Sequence, residues 1–136
     1  MFQYNTKIRG INMKKRELGN TGMYVSEIGL GCASYWGKKQ FNKTEAIKVV
    51  HTALDNGVTL FDTGHSYSGG NAEIRLGEAL EGISNKSDLV ISTKCGTRIS
   101  NNGKLYKDFS QNWIRESCNL SLKRIGINEL GMYQLH

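Results

Sequence analysis

The sequence contains no proline, few cysteines and no long apolar run. The missing proline excludes no fold; in a chain of 136 residues it is unusual and fits a polypeptide that is one part of a larger unit. Cys32, Cys95 and Cys118 form an odd set without CxxC spacing, which argues against a disulfide framework or a thiolate metal site and for reduced thiols in or near a core. No segment approaches the roughly 18–20 consecutive apolar residues that a membrane span requires. The stretch from Met1 to Lys15 is polar and mixed, unlike a secretory signal. A cytoplasmic location with no membrane partner is the expectation.

Charge of one sign is scarce where a nucleic-acid binder would need it. The net charge is +6, but Lys7, Arg9, Lys14, Lys15 and Arg16 all precede the first acidic residue, Glu17. The remaining 13 basic and 12 acidic residues nearly cancel. The excess therefore belongs to an N-terminal arm, and a basic stripe across a folded face is not expected. Residues 1–12 show no periodicity and read as a flexible extension ahead of a domain spanning 13–136.

Within that domain the signals alternate. Asn20-Thr21-Gly22 is a turn between Arg16–Leu18 and Met23–Val25, which predicts a short β-hairpin. Ile28 to Gly31 is a first short strand. Thr44 is the predicted N-cap of a helix with Ala46, Ile47, Val50, Ala53 and Leu54 on one face, stopped by Gly57. Val58–Phe61 is a second strand, and Asn71 is the predicted cap of a helix running to Leu80. Leu89–Ile91, extended to Lys94, is a third strand. Ser110 caps a long helix with Ile114, Cys118, Leu122 and Ile125 on its inner face, and Gly126 closes it. Leu130–Leu135 is the fourth strand, followed by His136. The strand cores are continuous rather than alternating apolar runs, as parallel strands covered on both faces require. A hairpin followed by β-α-β-α-β-α-β suits either a doubly wound sheet or a (β/α) barrel.

Ionisable residues recur where the strands end. Asp62 follows Phe61, Lys94 follows Thr93 and His136 follows Leu135, at intervals of about one βα unit. Tyr67 lies five residues beyond Asp62, in the loop over the same rim. Singly each is unremarkable: a capping Asp, a solvated Lys, a packed Tyr, a terminal His. Together they suit carbonyl reduction, which needs a proton at oxygen as hydride reaches carbon. A phenol with an ordinary pKa of about 10 is a poor donor near neutrality. A neighbouring Lys94 ammonium would favour its ionised form. Asp62 would hold Lys94 in place, and His136 would hydrogen-bond the carbonyl oxygen.

The segment Phe61-Asp62-Thr63-Gly64-His65-Ser66-Tyr67 resembles an aldo-keto reductase signature, as do Ala72–Leu80, Val90-Ile91-Ser92-Thr93-Lys94, Ser121–Gly126 and Met132-Tyr133-Gln134-Leu135-His136. Arg16–Gly22 and Val25–Gly31 are similar to that family's opening hairpin and first strand. The resemblance runs from Met13 to the end. It implies an α/β fold, the N-terminal half of a (β/α)8 barrel preceded by a β-hairpin. It also implies NADP(H) as cofactor, an aldehyde or ketone as small-molecule substrate, and Asp62, Tyr67, Lys94 and His136 as the catalytic set. Gly31, Cys32, Ala33 and Asp62 are expected beside the cofactor, and Trp36 and His136 beside the substrate.

The family barrel has four further strands and helices, which supply most of the cofactor's contacts. The alternative expectation is therefore an inactive fragment whose open strand edges invite self-association. Competing motifs are weaker. Gly29-Leu30-Gly31-Cys32-Ala33-Ser34 lacks the third glycine and the immediate helix of a dinucleotide-binding fingerprint. Ser68-Gly69-Gly70-Asn71 reads as a phosphate-binding nest or, more simply, a turn. His51, His65, His136 and Asp62 could be assembled into a metal site only if His51 left its helix, and no metal is expected.

Overall fold

A computed structural model describes residues 13–136; the extension expected over 1–12 lies outside the described residues. The hairpin pairs β1 (Lys15–Glu17) with β2 (Tyr24–Ser26) in antiparallel register. Then come β3 (Gly29–Gly31), α1 (Lys43–Asp55), β4 (Leu60–Asp62), α2 (Asn71–Ala79) and β5 (Val90–Cys95). A second hairpin, β6 (Thr97–Ile99) and β7 (Leu105–Lys107), precedes α3 (Gln111–Ile125) and β8 (Met132–Leu135). Strands β3, β4, β5 and β8 form one parallel sheet in that order. Successive strands lie side by side with a helix between each pair, as in part of a (β/α) barrel. No helix among the described residues is long and apolar enough to cross a membrane.

Register decides which side chains meet. Leu30, Phe61 and Ile91 are lateral neighbours and pack with Ala46, Val50, Leu76 and Ile125 of the three helices in one core. Side chains alternate along a strand, so Asp62, Ser92, Lys94 and Gln134 occupy the opposite face, and His136 follows Gln134 by two. One face is packed against the helices; the other carries Leu60, Val90 and Met132 toward the start of the strands and the polar side chains toward their carboxyl ends.

Local details differ from expectation in three places. The N-cap of α1 is Asn42, not Thr44: its Oδ1 accepts the Thr44 amide at 2.7 Å. Asn71 begins α2 rather than capping it. Gly70, at φ +94°, holds the cap position, and the Asn71 side chain instead donates to the Gly37 carbonyl. Ser110 does cap α3, accepting from the Trp113 amide, and Gly126 ends it in the left-handed region. The inner face of α3, however, is Trp113, Ser117, Ser121 and Ile125, with Ile114, Cys118 and Leu122 half-buried beside it. The serines turn inward because each has a partner: Ser117 Oγ lies 2.7 Å from the Tyr133 hydroxyl of β8, and Ser121 Oγ is 3.3 Å from His65 Nδ1. Hydrogen bonding and small size bring this face to the core, where a count of apolar residues had pointed to its neighbours.

Helices α2 and α3 approach closely at Gly77. A Cβ there would lie 2.6 Å from the Arg124 carbonyl oxygen and 2.8 Å from that of Ile125, both backbone atoms with little room to yield. Gly77→Ala is therefore expected to destabilise by about 1–3 kcal/mol through overpacking, outweighing alanine's helix-propensity advantage of up to about 1 kcal/mol. Urea unfolding checks this; a stability equal to or above wild type would mean the helices separate at no cost.

Candidate active site

The Asp62 carboxylate is the hub of the rim. Its Oδ2 receives Lys94 Nζ at 2.6 Å, and its Oδ1 receives the Ser92 hydroxyl at 2.8 Å. Lys94 also donates to the Thr63 carbonyl at 2.7 Å, so its ammonium is fixed by two oxygens from the end of β4. Gln134 on β8 donates to Ser92 Oγ at 2.6 Å and reaches Asp62 Oδ1 at 3.4 Å. Lys94 is mostly buried (15% side-chain exposure), whereas Asp62 is 42% exposed. Neighbouring parallel strands therefore deliver a charge-assisted pair whose carboxylate also accepts from the neutral Ser92 hydroxyl.

Tyr67 enters from the turn after β4. Lys94 Nζ lies 5.3 Å from the centre of its ring, and the His136 imidazole meets the ring edge-on at 5.5 Å between centroids. The turn Tyr67–Gly70 is held by the Ser68 hydroxyl donating to the Ser34 carbonyl, and Ser68 itself sits at φ +50°. Gly64 makes room for the phenol: a Cβ there would stand 3.0 Å from the Tyr67 ring. Asp62, Tyr67, Lys94 and His136, read from separate stretches of sequence, are thus gathered at one end of the sheet.

The His136 amide donates to the Cys95 carbonyl at 2.9 Å, continuing the β5–β8 pairing. Its imidazole is held below the ordinary histidine pKa by burial, then by Lys107 and Lys94, with Asp62 opposing. It is the neutral imidazole that faces Tyr67 near neutral pH.

The remaining expected residues divide. Gly31 is opposite Asp62 in register, and both it and Ala33 are exposed; a Cβ on Gly31 would meet nothing within 4 Å. Cys32 is fully buried, its thiol pushed up to about 12 by burial and by the Asp62 charge, so it offers the rim backbone rather than a thiolate. All three cysteines are free thiols. Trp36 is only 6% exposed and packs against Phe41 within the core; the exposed aromatic of that turn is Tyr35, at 58%. The Trp36 indole meets a ligand at the rim only if its turn moves. His51 Nε2 lies on the Ala79 carbonyl at 2.9 Å, and His65 is buried edge-on against Trp113. The histidines that a metal site would have combined thus sit in different surroundings.

Sequence reasoning missed Ser92, Gln134 and Lys107. Ser92 shares the period-2 face of Lys94 and was legible by that rule. Gln134 becomes a neighbour of Lys94 only through the β5–β8 register. Lys107 belongs to the unanticipated hairpin, whose Asn101-Asn102-Gly103 turn was the available signal.

The Aldo/keto reductase family model matches residues 27–136. The chain is 32% identical over 125 residues to the Bacillus subtilis (strain 168) protein named uncharacterized oxidoreductase YqkF, an alignment covering 91% of this chain and 39% of that protein. It is 33% identical over 137 aligned positions to the NADH-specific methylglyoxal reductase of Escherichia coli (strain K12), covering 91% and 42%. Among solved structures it is similar to the holo form of aldo-keto reductase AKR11C1 from Bacillus halodurans, with TM-score 0.80, 34% identity, and coverage of 91% and 40%. The chain spans about two fifths of the length of these relatives. With the family model covering most of its residues, the chain belongs to the aldo/keto reductase family.

Proposed function

We propose that this chain carries the proton-handling part of an oxidoreductase that reduces an aldehyde or ketone to an alcohol with NADP(H). The observation that carries this reading is the Asp62–Lys94 pair at 2.6 Å with the Tyr67 ring 5.3 Å from the same ammonium. Tyr67 gives its phenolic proton to the carbonyl oxygen as the carbon is reduced. Lys94 stabilises the negative charge left on the phenol oxygen, and its own orientation is fixed by Asp62 and the Thr63 carbonyl. His136 hydrogen-bonds the substrate oxygen and sets its angle to Tyr67.

A nicotinamide group, when bound, supplies the hydride. The residues that would hold it are Gly31, Ala33, the Cys32 backbone and Asp62, and the open space beside Gly31, where a Cβ would meet nothing within 4 Å, leaves room for a flat ring. The E. coli relative is named for NADH and for a carbonyl substrate, methylglyoxal, which favours a nicotinamide-dependent reductase and makes the choice between NADH and NADPH a matter for direct comparison.

A second reading, that the 136-residue chain by itself does not turn over, is favoured by one feature of the sheet. Among the described residues, β3 and β8 each pair on one side only, and such edges invite pairing with another chain. Titrating the chain with NADPH and with NADH while following tryptophan fluorescence, then adding a carbonyl substrate, separates the two. Saturable quenching with oxidation of the cofactor is expected of the reductase; neither signal is expected if the second reading holds.

A further inference from the structure

The hairpin β6–β7 is an insertion between β5 and α3 that the βα alternation does not require, yet it reaches the rim. Lys107 is paired in register with Thr97, and its Nζ donates to Thr97 Oγ1 at 3.0 Å and to the backbone oxygen of His136 at 2.5 Å. Both backbone polar groups of His136 are thereby engaged: its N–H by the Cys95 carbonyl of β5, its oxygen by the ammonium of β7. An exposed lysine is ordinarily free to roam in water, and ordering its long side chain between two oxygens costs rotamer entropy. The return is a fixed end to β8.

We propose that Lys107 is a positioning residue for His136, clamping the end of β8 to the inserted hairpin and facing the imidazole with a fixed positive charge. The inference rests on the role given to His136 above. A histidine that aims a substrate must be held by its backbone before its ring is aimed. The charge adds a second effect. The groups around the imidazole are Lys107 from β7, Lys94 from β5, Asp62 from β4 and the Tyr67 phenol from the turn after β4. Two cations against one carboxylate, beside partial burial, disfavour a third positive charge. Lys107 thus adds to burial in favouring the uncharged His136, as a hydrogen-bonding imidazole requires if it is not to repel Lys94.

The test is an NMR titration of the full chain labelled at histidine Cε1, with His136 assigned from His136→Asn. The wild-type His136 resonance is expected to titrate below 6.5. In Lys107→Met its midpoint is expected to rise measurably toward 6.5, and in Lys107→Arg, which keeps charge and donors, to remain near wild type. A Met curve superposing on wild type overturns the proposal, as does an Arg variant that moves with Met, since loss of hairpin packing alone would then explain both. The two readings fail separately: a Tyr67→Phe chain that still reduces carbonyls removes the reductase reading, whereas the titration reports the Lys107–His136 link whether or not the chain turns over.

Discussion

Tyr67→Phe is expected to lower kcat by about 10²–10⁴-fold, the usual worth of a positioned general acid, which corresponds to about 3–5 kcal/mol of transition-state stabilisation. The substitution removes one oxygen and keeps the ring. The edge-on contact with His136 and the cation–ring contact with Lys94 both involve the ring, so packing at the rim is preserved. Cofactor quenching should therefore be unchanged, and KM should move far less than kcat, the pattern of an interaction made mainly in the transition state. If Tyr67 only packs against His136, phenylalanine will serve equally well. Steady-state kinetics with a small aldehyde, alongside a fluorescence titration of the same preparation, distinguishes these outcomes; retained turnover in Tyr67→Phe removes the proton-donor role.

What made this site legible in advance was where the strands end. A buried parallel strand is a continuous apolar run, and a charged residue at its carboxyl end stands out against it. Asp62 after Phe61 and Lys94 after Thr93 were visible in this way, and parallel pairing of successive strands brought them to one rim. The interval from Lys94 to His136 concealed more than a helix. It also holds β6 and β7, short strands whose exposed residues include Ile99, Leu105 and Tyr106 and whose buried residue is Thr97, so they leave no buried apolar face for a pattern to record. The inner face of α3 was misjudged by one position for a related reason. Ser117 and Ser121 are fully buried, but hydrophobicity cannot see a serine whose burial is secured by Tyr133 or His65. Register was beyond reach altogether: that Gln134 stands beside Lys94 follows from strand pairing, which local sequence does not encode.

The largest effect on stability is expected behind the rim, at Glu73. This carboxylate is fully buried in the first turn of α2, where Oε1 accepts the Thr93 hydroxyl at 2.7 Å and Oε2 accepts Arg124 Nη1 at 3.0 Å. Arg124 also donates to the His65 carbonyl at 3.0 Å, so one ion pair ties α2, α3, β5 and the loop leading to Tyr67. Glu73→Ala leaves a largely buried guanidinium without its anion and should cost about 3–5 kcal/mol, read as a shift in the urea midpoint at unchanged slope. Replacing both partners, as in Glu73→Leu with Arg124→Met, should cost much less, because the desolvation of both charges is then avoided. A double variant no more stable than Glu73→Ala would show that the residues matter for shape rather than charge.

The same cluster contributes to the pH dependence of stability. His65 is held below 6.5 chiefly by burial and next by the Arg124 charge, with Glu73 opposing. Its folded form therefore takes up a proton less readily than its unfolded form, so stability should fall as pH drops below about 6.5, until the folded histidine titrates as well. Removing Glu73 depresses that histidine further and extends the loss to lower pH. Thr93 stands immediately before Lys94, so its bond to Glu73 also steadies the strand end that carries the ammonium. Glu73→Ala should accordingly weaken turnover even at temperatures where the chain remains folded.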